Sequence, residues 1–167
     1  MKKILSLTLA LAMIGSILTG CGSKDAATKT PAENTQQTAP VQQEQSQTEK
    51  ALALINTFAT GDTDTARSLL ADGYIQHNLA YGTGADAFIG SVEYLASADV
   101  KTTVNNIRAF EDGDKVFLQT VYNFAGAGEQ VAFDIFRFDE NGKIAEHWDV
   151  METIADQSTW QNQNGKF

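Results

Sequence analysis

The sequence predicts an α+β domain in which N-terminal helices pack on a curved antiparallel sheet. Apolar residues between Glu49 and Leu95 recur at the three- and four-residue spacing of amphipathic helices. From Thr102 onward, β-branched and aromatic residues form long runs that are separated by glycine-containing turns. Because the helical segments precede the strands, we expect about three helices followed by about four strands in one compact domain.

The first residues resemble the leader of an exported bacterial lipoprotein. Met1-Lys2-Lys3 is a positive start, and Ile4–Leu18 is an apolar run too short for a stable transmembrane span. The run ends at Leu18-Thr19-Gly20-Cys21, which resembles the lipobox that precedes a lipidated cysteine, and Cys21 is the only cysteine of the chain. The resemblance implies a signal peptide at residues 1–20 and a lipid anchor on Cys21, with the protein on a cell membrane, facing outside the cytoplasm. The alternative is an ordinary signal peptide that is followed by a chance cysteine.

A polar, flexible tether is expected over residues 21–47. This segment is rich in Ser, Thr, Gln and Ala, holds both prolines, and has almost no large apolar side chain. Such a composition buries too little surface to offset the loss of chain entropy on folding. The domain would then occupy residues 48–151, which is enough chain for one core. A polar tail at residues 152–167 would be disordered or would fold back through Trp160.

Three helices are expected at the start of the domain. The first has the i, i+3, i+4, i+7 spacing of an amphipathic helix, ahead of a glycine that can end it. Its residues are Ala51, Leu54, Ile55 and Phe58, and the glycine is Gly61. The second helix would begin at Asp62 or Thr63 and end at Gly73. The third would open with a capping box formed by Thr83 and Asp86.

Two hairpins account for the predicted sheet. The first joins Thr102–Phe110 to Lys115–Phe124 through Asp112-Gly113, and the second turns at Asn141-Gly142. Asp-Gly and Asn-Gly pairs favour type I′ turns, because both central residues of such a turn adopt a positive φ. Each hairpin therefore contributes two adjacent antiparallel strands.

The register of the second hairpin follows from its turn. With Asn141-Gly142 in the two turn positions, Glu140 faces Lys143, and Arg137 faces Glu146 as a cross-strand ion pair. The same register pairs Ile135 with Trp148, Phe133 with Val150, Phe138 with Ala145, Phe136 with His147, Asp134 with Asp149, and Ala132 with Met151.

One face of this hairpin places Asp134, His147 and Asp149 among apolar residues. A four-residue loop would move Asp134 opposite His147, but strand alternation would keep the three side chains on one face. Burial without partners would cost roughly 2–7 kcal/mol even for a neutral polar group. We therefore expect them to line a cavity, to pair with one another, or to face water. Two carboxylates on an apolar wall suit acid–base chemistry, because they do not readily ionise at the same time and one of them should have a raised pKa. The alternative is a half-exposed sheet whose polar residues are simply hydrated.

Two segments of the domain resemble a known family. Y-I-Q-H-N at Tyr74–Asn78 and G-K-I-A-E-H-W-D at Gly142–Asp149, with the order of helices and strands between Glu49 and Met151, resemble the SnoaL-like members of the nuclear transport factor 2-like superfamily. The resemblance implies a cone-like fold with a pocket between the curved sheet and the helices. Members of this superfamily include polyketide cyclases that catalyse an intramolecular aldol condensation, isomerases, and binding domains.

Strand parity and the resemblance together suggest the site residues. The catalytic candidates are Asp134, His147, His77 and Asp149. The ligand-binding candidates are Asn78, Tyr122, Phe136, Phe138 and Met151. By resemblance Asp134 would be the general acid/base. The donor that steadies an enolate would be His77, His147 or Tyr122, and Asp149 would orient His147 or fix its tautomer. Trp148 alternates to the opposite face of its strand and is interpreted as a core residue.

The composition narrows the range of partners. The chain has 12 basic and 21 acidic residues, a net charge of −9, and no basic patch, which disfavours nucleic-acid binding. No cofactor is expected, and His77 and His147 match no metal-binding spacing. The expected partners are a membrane, through the lipid on Cys21, and a small-molecule ligand, with a homodimer as a further candidate.

Two functions remain open at this point. The first is a membrane-anchored extracytoplasmic domain whose pocket binds a small apolar or carbonyl ligand. The second is an enzyme of the aldol-condensation, cyclase or isomerase type. We favour the first, because an exported protein is separated from the cytoplasmic synthases beside which polyketide cyclases act.

Overall fold

A computed structural model describes residues 44–167 of the chain. The predicted signal peptide, Cys21 and most of the predicted tether lie outside these described residues. Within residues 44–167, each helix is too short or too polar to cross a membrane.

Three α-helices pack on a five-stranded sheet, as expected for the α+β class. The helices are α1 (Gln47–Thr60), α2 (Thr63–Leu69) and α3 (Ala85–Ser97). The strands are β1 (Leu70–Gln76), β2 (Thr103–Asp112), β3 (Lys115–Asn123), β4 (Glu129–Phe138) and β5 (Ile144–Thr153). The order in the sheet is β1-β5-β4-β3-β2. The four strands from β2 to β5 are antiparallel neighbours, as predicted, and β1 is parallel to β5.

Side-chain capping fixes the beginnings of α1 and α2. The hydroxyl of Ser46 accepts a hydrogen bond from the backbone N–H of Glu49, whose carboxylate in turn accepts one from the N–H of Ser46. Helix α1 ends at Gly61, which has a φ of 75°. Asp62 caps α2, but this helix ends at Leu69 and not at Gly73. The reason is that the next seven residues pair with β5 as strand β1.

The start of α3 differs from the prediction. Gly84 precedes the helix, and no side chain caps it. The hydroxyl of Thr83 accepts a hydrogen bond from the backbone N–H of Gln76 instead, and Asp86 pairs with Arg67. The prediction of a capping box formed by Thr83 and Asp86 is therefore wrong, because both side chains have partners elsewhere.

The central hairpin keeps its predicted register through an unpredicted turn. The N–H of Asp139 donates to the carbonyl of Lys143, so three residues and not two form the loop. Phe138 consequently faces Ile144 and not Ala145, and Glu140 does not face Lys143. A bulge at Ala145 adds one residue to β5 and compensates for the odd loop. From that point every predicted pair is present, beginning with Arg137 and Glu146, whose side chains form the expected ion pair.

The two faces of the sheet have different surroundings. The inner face packs against α1 and α3 and holds most of the core, including Leu118, Phe136 and Ile144. The outer face exposes several large apolar side chains, among them Phe133 and Val150, which are 55% and 73% exposed.

The C-terminal tail returns to the outer face. The side-chain amide of Gln119 on β3 donates a hydrogen bond to the carbonyl of Lys166 at 2.9 Å. The ammonium group of Lys166 contacts Glu152 on β5 at 2.6 Å. Lys166 therefore connects the tail to two strands of the sheet, whereas the indole of Trp160 donates to the carbonyl of Ala155 within the tail.

Candidate functional site

A cavity of about 640 Å³ lies between the inner face of the sheet and the helices. Its wall is mainly apolar, with contributions from α1, α3 and the end of β3. The apolar lining includes Ile55, Phe58, Phe88, Leu95, Phe124, Phe136 and Met151. Asp134, His147 and Asp149 lie together at its polar end, as strand parity predicted.

Asp134 is the buried centre of this polar end. Its side chain is only 4% exposed and points from β4 toward the cavity. The hydroxyl of Tyr122 donates a hydrogen bond to Oδ2 at 2.9 Å, and Nε2 of His147 lies 3.2 Å from Oδ1. The three side chains come from adjacent strands, β3, β4 and β5, and all face inward. Two donors thus offset the cost of removing this carboxylate from water.

The tautomer of His147 follows from Gln76 and not, as expected, from Asp149, whose carboxylate accepts from Asn78. The backbone N–H of Asn78 can only donate, and it contacts Oε1 of Gln76 at 2.9 Å. Nε2 of Gln76 therefore faces Nδ1 of His147, at 3.1 Å, and donates to it. Nδ1 is then the acceptor, and the proton of the neutral ring lies on Nε2, where it points to Asp134. The ring of Phe136 stacks on the imidazole at 4.5 Å and an interplanar angle of 10°, which fixes its plane.

Asp149 completes the polar end on β5. The side-chain amide of Asn78 donates to both of its carboxylate oxygens, at 2.7 Å and 3.0 Å. One potential ligand atom from each of Asp134, His147 and Asp149 lies within 4.8 Å of the others. The two carboxylates therefore share one small region of the cavity.

Two buried tyrosines remain protonated in this environment. Burial raises the pKa of Tyr122 well above its usual value, and the charge of Asp134 adds to this effect. Burial also raises the pKa of Tyr74, with further contributions from Asp149 and Asp134. Tyr122 consequently acts as a hydrogen-bond donor to Asp134 and not as a base.

The structure does not bring His77 to the cavity. The side chains of Tyr74 and Gln76 point inward, so the next residue, His77, lies on the outer side. There its Nε2 contacts Glu146 at 2.9 Å, and its ring stacks on Trp148 at 4.4 Å. The hydrogen bond from His77, followed by that from Arg137, lowers the pKa of Glu146.

The remaining predicted residues fall into three groups. Tyr122, Phe136 and Met151 line the cavity, as the sequence suggested. Asn78 is not among the lining residues but positions Asp149, and Phe138 is buried in the core, 3% exposed. Trp148 is half-buried on the outer face and lies outside the core that the sequence suggested for it.

Sequence reasoning did not identify Gln76 as part of the site. The signal was present, because Y-I-Q alternates as a strand does and places Tyr74 and Gln76 on one face. Tyr74–Asn78 is short and of mixed composition, so its sequence alone does not predict a strand. The aromatic wall from Phe58, Phe88 and Phe124 also depends on helix packing that no local pattern specifies.

We predict that Tyr122→Phe lowers the free energy of unfolding by about 1–3 kcal/mol, because the buried Asp134 loses one of its two donors. Urea denaturation measures the change. Tyr94→Phe is the control, since Tyr94 is 73% exposed, and its effect should stay within about 0.5 kcal/mol. Equal stabilities of the two variants would contradict the importance of the hydrogen bond between Tyr122 and Asp134.

Comparisons with known proteins agree with this architecture. An NTF2-like protein of unknown function from Cytophaga hutchinsonii has a TM-score of 0.57 and 16% identity, over 66% of this chain and 94% of that one. IdmH from Streptomyces antibioticus, a candidate polyketide cyclase, has a TM-score of 0.52 and 19% identity, over 65% and 93%. An LEH-like epoxide hydrolase from M. tuberculosis has a TM-score of 0.54 and 18% identity, over 62% and 80%. At these identities the likeness shows the fold alone.

The sequence itself identifies the family. No curated protein matches the chain. A family model described as the SnoaL-like domain matches residues 51–147, which is more than half of the chain. The chain therefore belongs to the SnoaL-like domain family, with the NTF2-like fold.

Proposed function

We propose that the domain binds a small apolar or carbonyl-containing molecule in the cavity between sheet and helices. The observation that carries this proposal is a cavity of about 640 Å³ with an apolar wall and one polar end. Small-molecule sites commonly have this size and this arrangement of a few convergent polar groups. The names of IdmH and of the epoxide hydrolase describe proteins that act on small organic molecules, which supports the same use of the fold.

Gly90 offers a way to narrow the cavity from an exposed position on its lining, away from the core. It lies on α3 and lines the cavity, and a Cβ atom added there would meet no atom within 4 Å. We predict that Gly90→Phe weakens binding of benzylacetone, a small aromatic ketone, by about tenfold, which corresponds to about 1.4 kcal/mol. Glu93→Phe adds the same side chain to an exposed position of α3 that does not line the cavity, and it should leave binding unchanged.

The titration can be followed at Met151, which lines the cavity and is one of three methionines in the chain. Its ¹³C-labelled methyl signal, identified by loss in Met151→Leu, reports binding at this place alone. A Gly90→Phe protein that binds as tightly as the Glu93→Phe control would locate the ligand elsewhere.

An enzyme of the aldol-condensation, cyclase or isomerase type is the second candidate. Asp134 would remove a proton next to a carbonyl group, while Tyr122 and His147, which donate to Asp134, would hold its carboxylate in position. The hydrogen-bonded cluster of these three residues at the end of an apolar cavity favours this alternative. His77 has no part in it, because its side chain lies on the outer face.

We predict for this alternative that the protein accelerates exchange of the α-protons of benzylacetone for deuterium in D₂O, as measured by proton NMR. Asp134→Asn should reduce the accelerated rate by about 10²–10⁴, the range of general acid–base catalysis. Asp64→Asn, a change at an exposed residue of α2, is the control of equal charge. If benzylacetone exchanges its α-protons at the same rate with the wild-type protein as in buffer alone, the enzymatic alternative is contradicted and the binding function still stands.

We further propose that a lipid on Cys21 anchors the domain to a membrane, facing outside the cytoplasm. The support is the sequence Leu18-Thr19-Gly20-Cys21, since Cys21 lies outside the described residues. Cells fed a labelled fatty acid should incorporate it into the wild-type chain and not into Cys21→Ser. Incorporation into the Ser variant would refute the anchor.

A homodimer through the outer sheet face is the remaining proposal. Phe117, Phe133 and Val150 are exposed on this face, and soluble monomers rarely expose large contiguous apolar patches. Sedimentation analysis should give a dimer for the wild type and a monomer for Phe133→Glu. A wild-type monomer at high concentration would exclude this interface.

A further inference from the structure

We infer that the cavity selects molecules that join an apolar body to a protonated amine. This inference rests on the proposed binding function and assigns an ammonium group, in place of a carbonyl group, to the part of the ligand at the polar end. The cavity itself defines the site, and the charges and hydrogen bonds at its polar end define which chemical group fits there.

The first argument is the charge of the lining. Among the described residues, the lining includes two carboxylates, Asp134 and Asp149, and neither Lys nor Arg. In the hydrogen-bond arrangement at this end, Gln76 donates to Nδ1 of His147, and a second ring proton there would meet the N–H₂ group of Gln76. The polar end is therefore negative when both carboxylates are ionised.

The second argument is the direction of the donors. Tyr122 and His147 both direct their protons to Asp134. The bonds to Asp149 come from a single nitrogen of Asn78, whereas a carboxylate has about four acceptor positions. A ligand carbonyl or carboxylate at this end would meet lone pairs, whereas a ligand N–H would meet unused acceptors.

The third argument is distance. The oxygens of Asp134 and Asp149 that face each other are within 4.8 Å. In a charge-assisted N–H···O bond the nitrogen and the oxygen are about 2.8 Å apart. Two such bonds to one nitrogen can span twice that distance, which exceeds the separation of the two carboxylate oxygens. One ammonium nitrogen can therefore contact both carboxylates at once and relieve their mutual repulsion.

A metal ion is the competing cation, and the hydrogen bonds disfavour it. His147 can ligate a metal only through a nitrogen with a free lone pair, but Nδ1 accepts from Gln76 and Nε2 carries the proton. Most of the remaining lining is apolar or aromatic, with Phe58, Phe88 and Phe124 in the wall. Such a wall suits the carbon body of an organic amine, and aromatic faces also attract ammonium groups.

Four probes of one shape test the inference on the purified full-length protein. They are benzylacetone, the corresponding alcohol, the corresponding amine, and the carboxylate with –COO⁻ at the same carbon. Each is titrated near neutral pH and followed by the ¹³C-methyl signal of Met151. We expect the amine to bind at least about tenfold more tightly than the alcohol, a difference of about 1.4 kcal/mol, and the carboxylate to bind more weakly than the alcohol.

The outcomes separate this inference from the proposed function. If the alcohol or the ketone binds as tightly as the amine, or the carboxylate binds best, the inference is overturned while the binding function stands. If no probe shifts the Met151 signal, both are overturned. If Zn²⁺ or Mg²⁺ alone shifts the signal and displaces the amine, the site is a metal site and the inference is also overturned.

A variant pair assigns the preference to the cavity carboxylate. Asp149→Asn should reduce the affinity for the amine by about tenfold and change the affinity for the alcohol by less than about twofold, since the negative charge is lost while one oxygen stays available to accept from Asn78. Asp64→Asn removes one exposed surface charge and should change neither affinity. The comparison of probes on the wild-type chain remains decisive if Asp149→Asn does not fold.

Discussion

The buried carboxylate of Asp134 constrains everything around it. A charge that is 4% exposed is tolerated only with partners, and here the partners are the Tyr122 hydroxyl and the imidazole of His147. Gln76 sets the direction of the imidazole, and the backbone N–H of Asn78 sets the direction of Gln76. The orientation of one ionisable group thus depends on a chain of contacts from β4 through β5 to the end of β1, and loss of any member leaves a buried polar atom without its partner.

The sheet separates two polar clusters by strand alternation alone. On the inner face, Asp134 and His147 lie at the polar end of the cavity. On the outer face, Glu146 binds Arg137 and His77, and the surrounding water weakens such exposed pairs. Glu146 and His147 are adjacent in the chain, yet the side chain of Glu146 forms ion pairs on the outer face and that of His147 lines the cavity.

The sequence was sufficient for the fold class, the helix order and most of the polar end of the cavity. Asp134, His147 and Asp149 could be placed together because side chains in a strand alternate with period two, and Arg137 with Glu146 selected the register. The position of His77 could not be derived in this way, because its segment was not interpreted as a strand. Parallel pairing of β1 with β5 joins residues about seventy positions apart, and no local pattern encodes such a contact. The aromatic wall likewise depends on how α1 and α3 pack.

The bulge at Ala145 separates the tip of the central hairpin from the cavity. Without it, the odd loop would displace β5 by one residue and turn His147 and Asp149 to the outer face. The bulge at Ala145 restores the register two positions before His147. Which side chains of β5 face the cavity therefore depends on the combined length of loop and bulge and not on the loop alone. Loop and bulge must therefore change together during evolution. Removal of one loop residue together with the bulge residue would keep His147 and Asp149 on the inner face, as would a two-residue turn paired without a bulge.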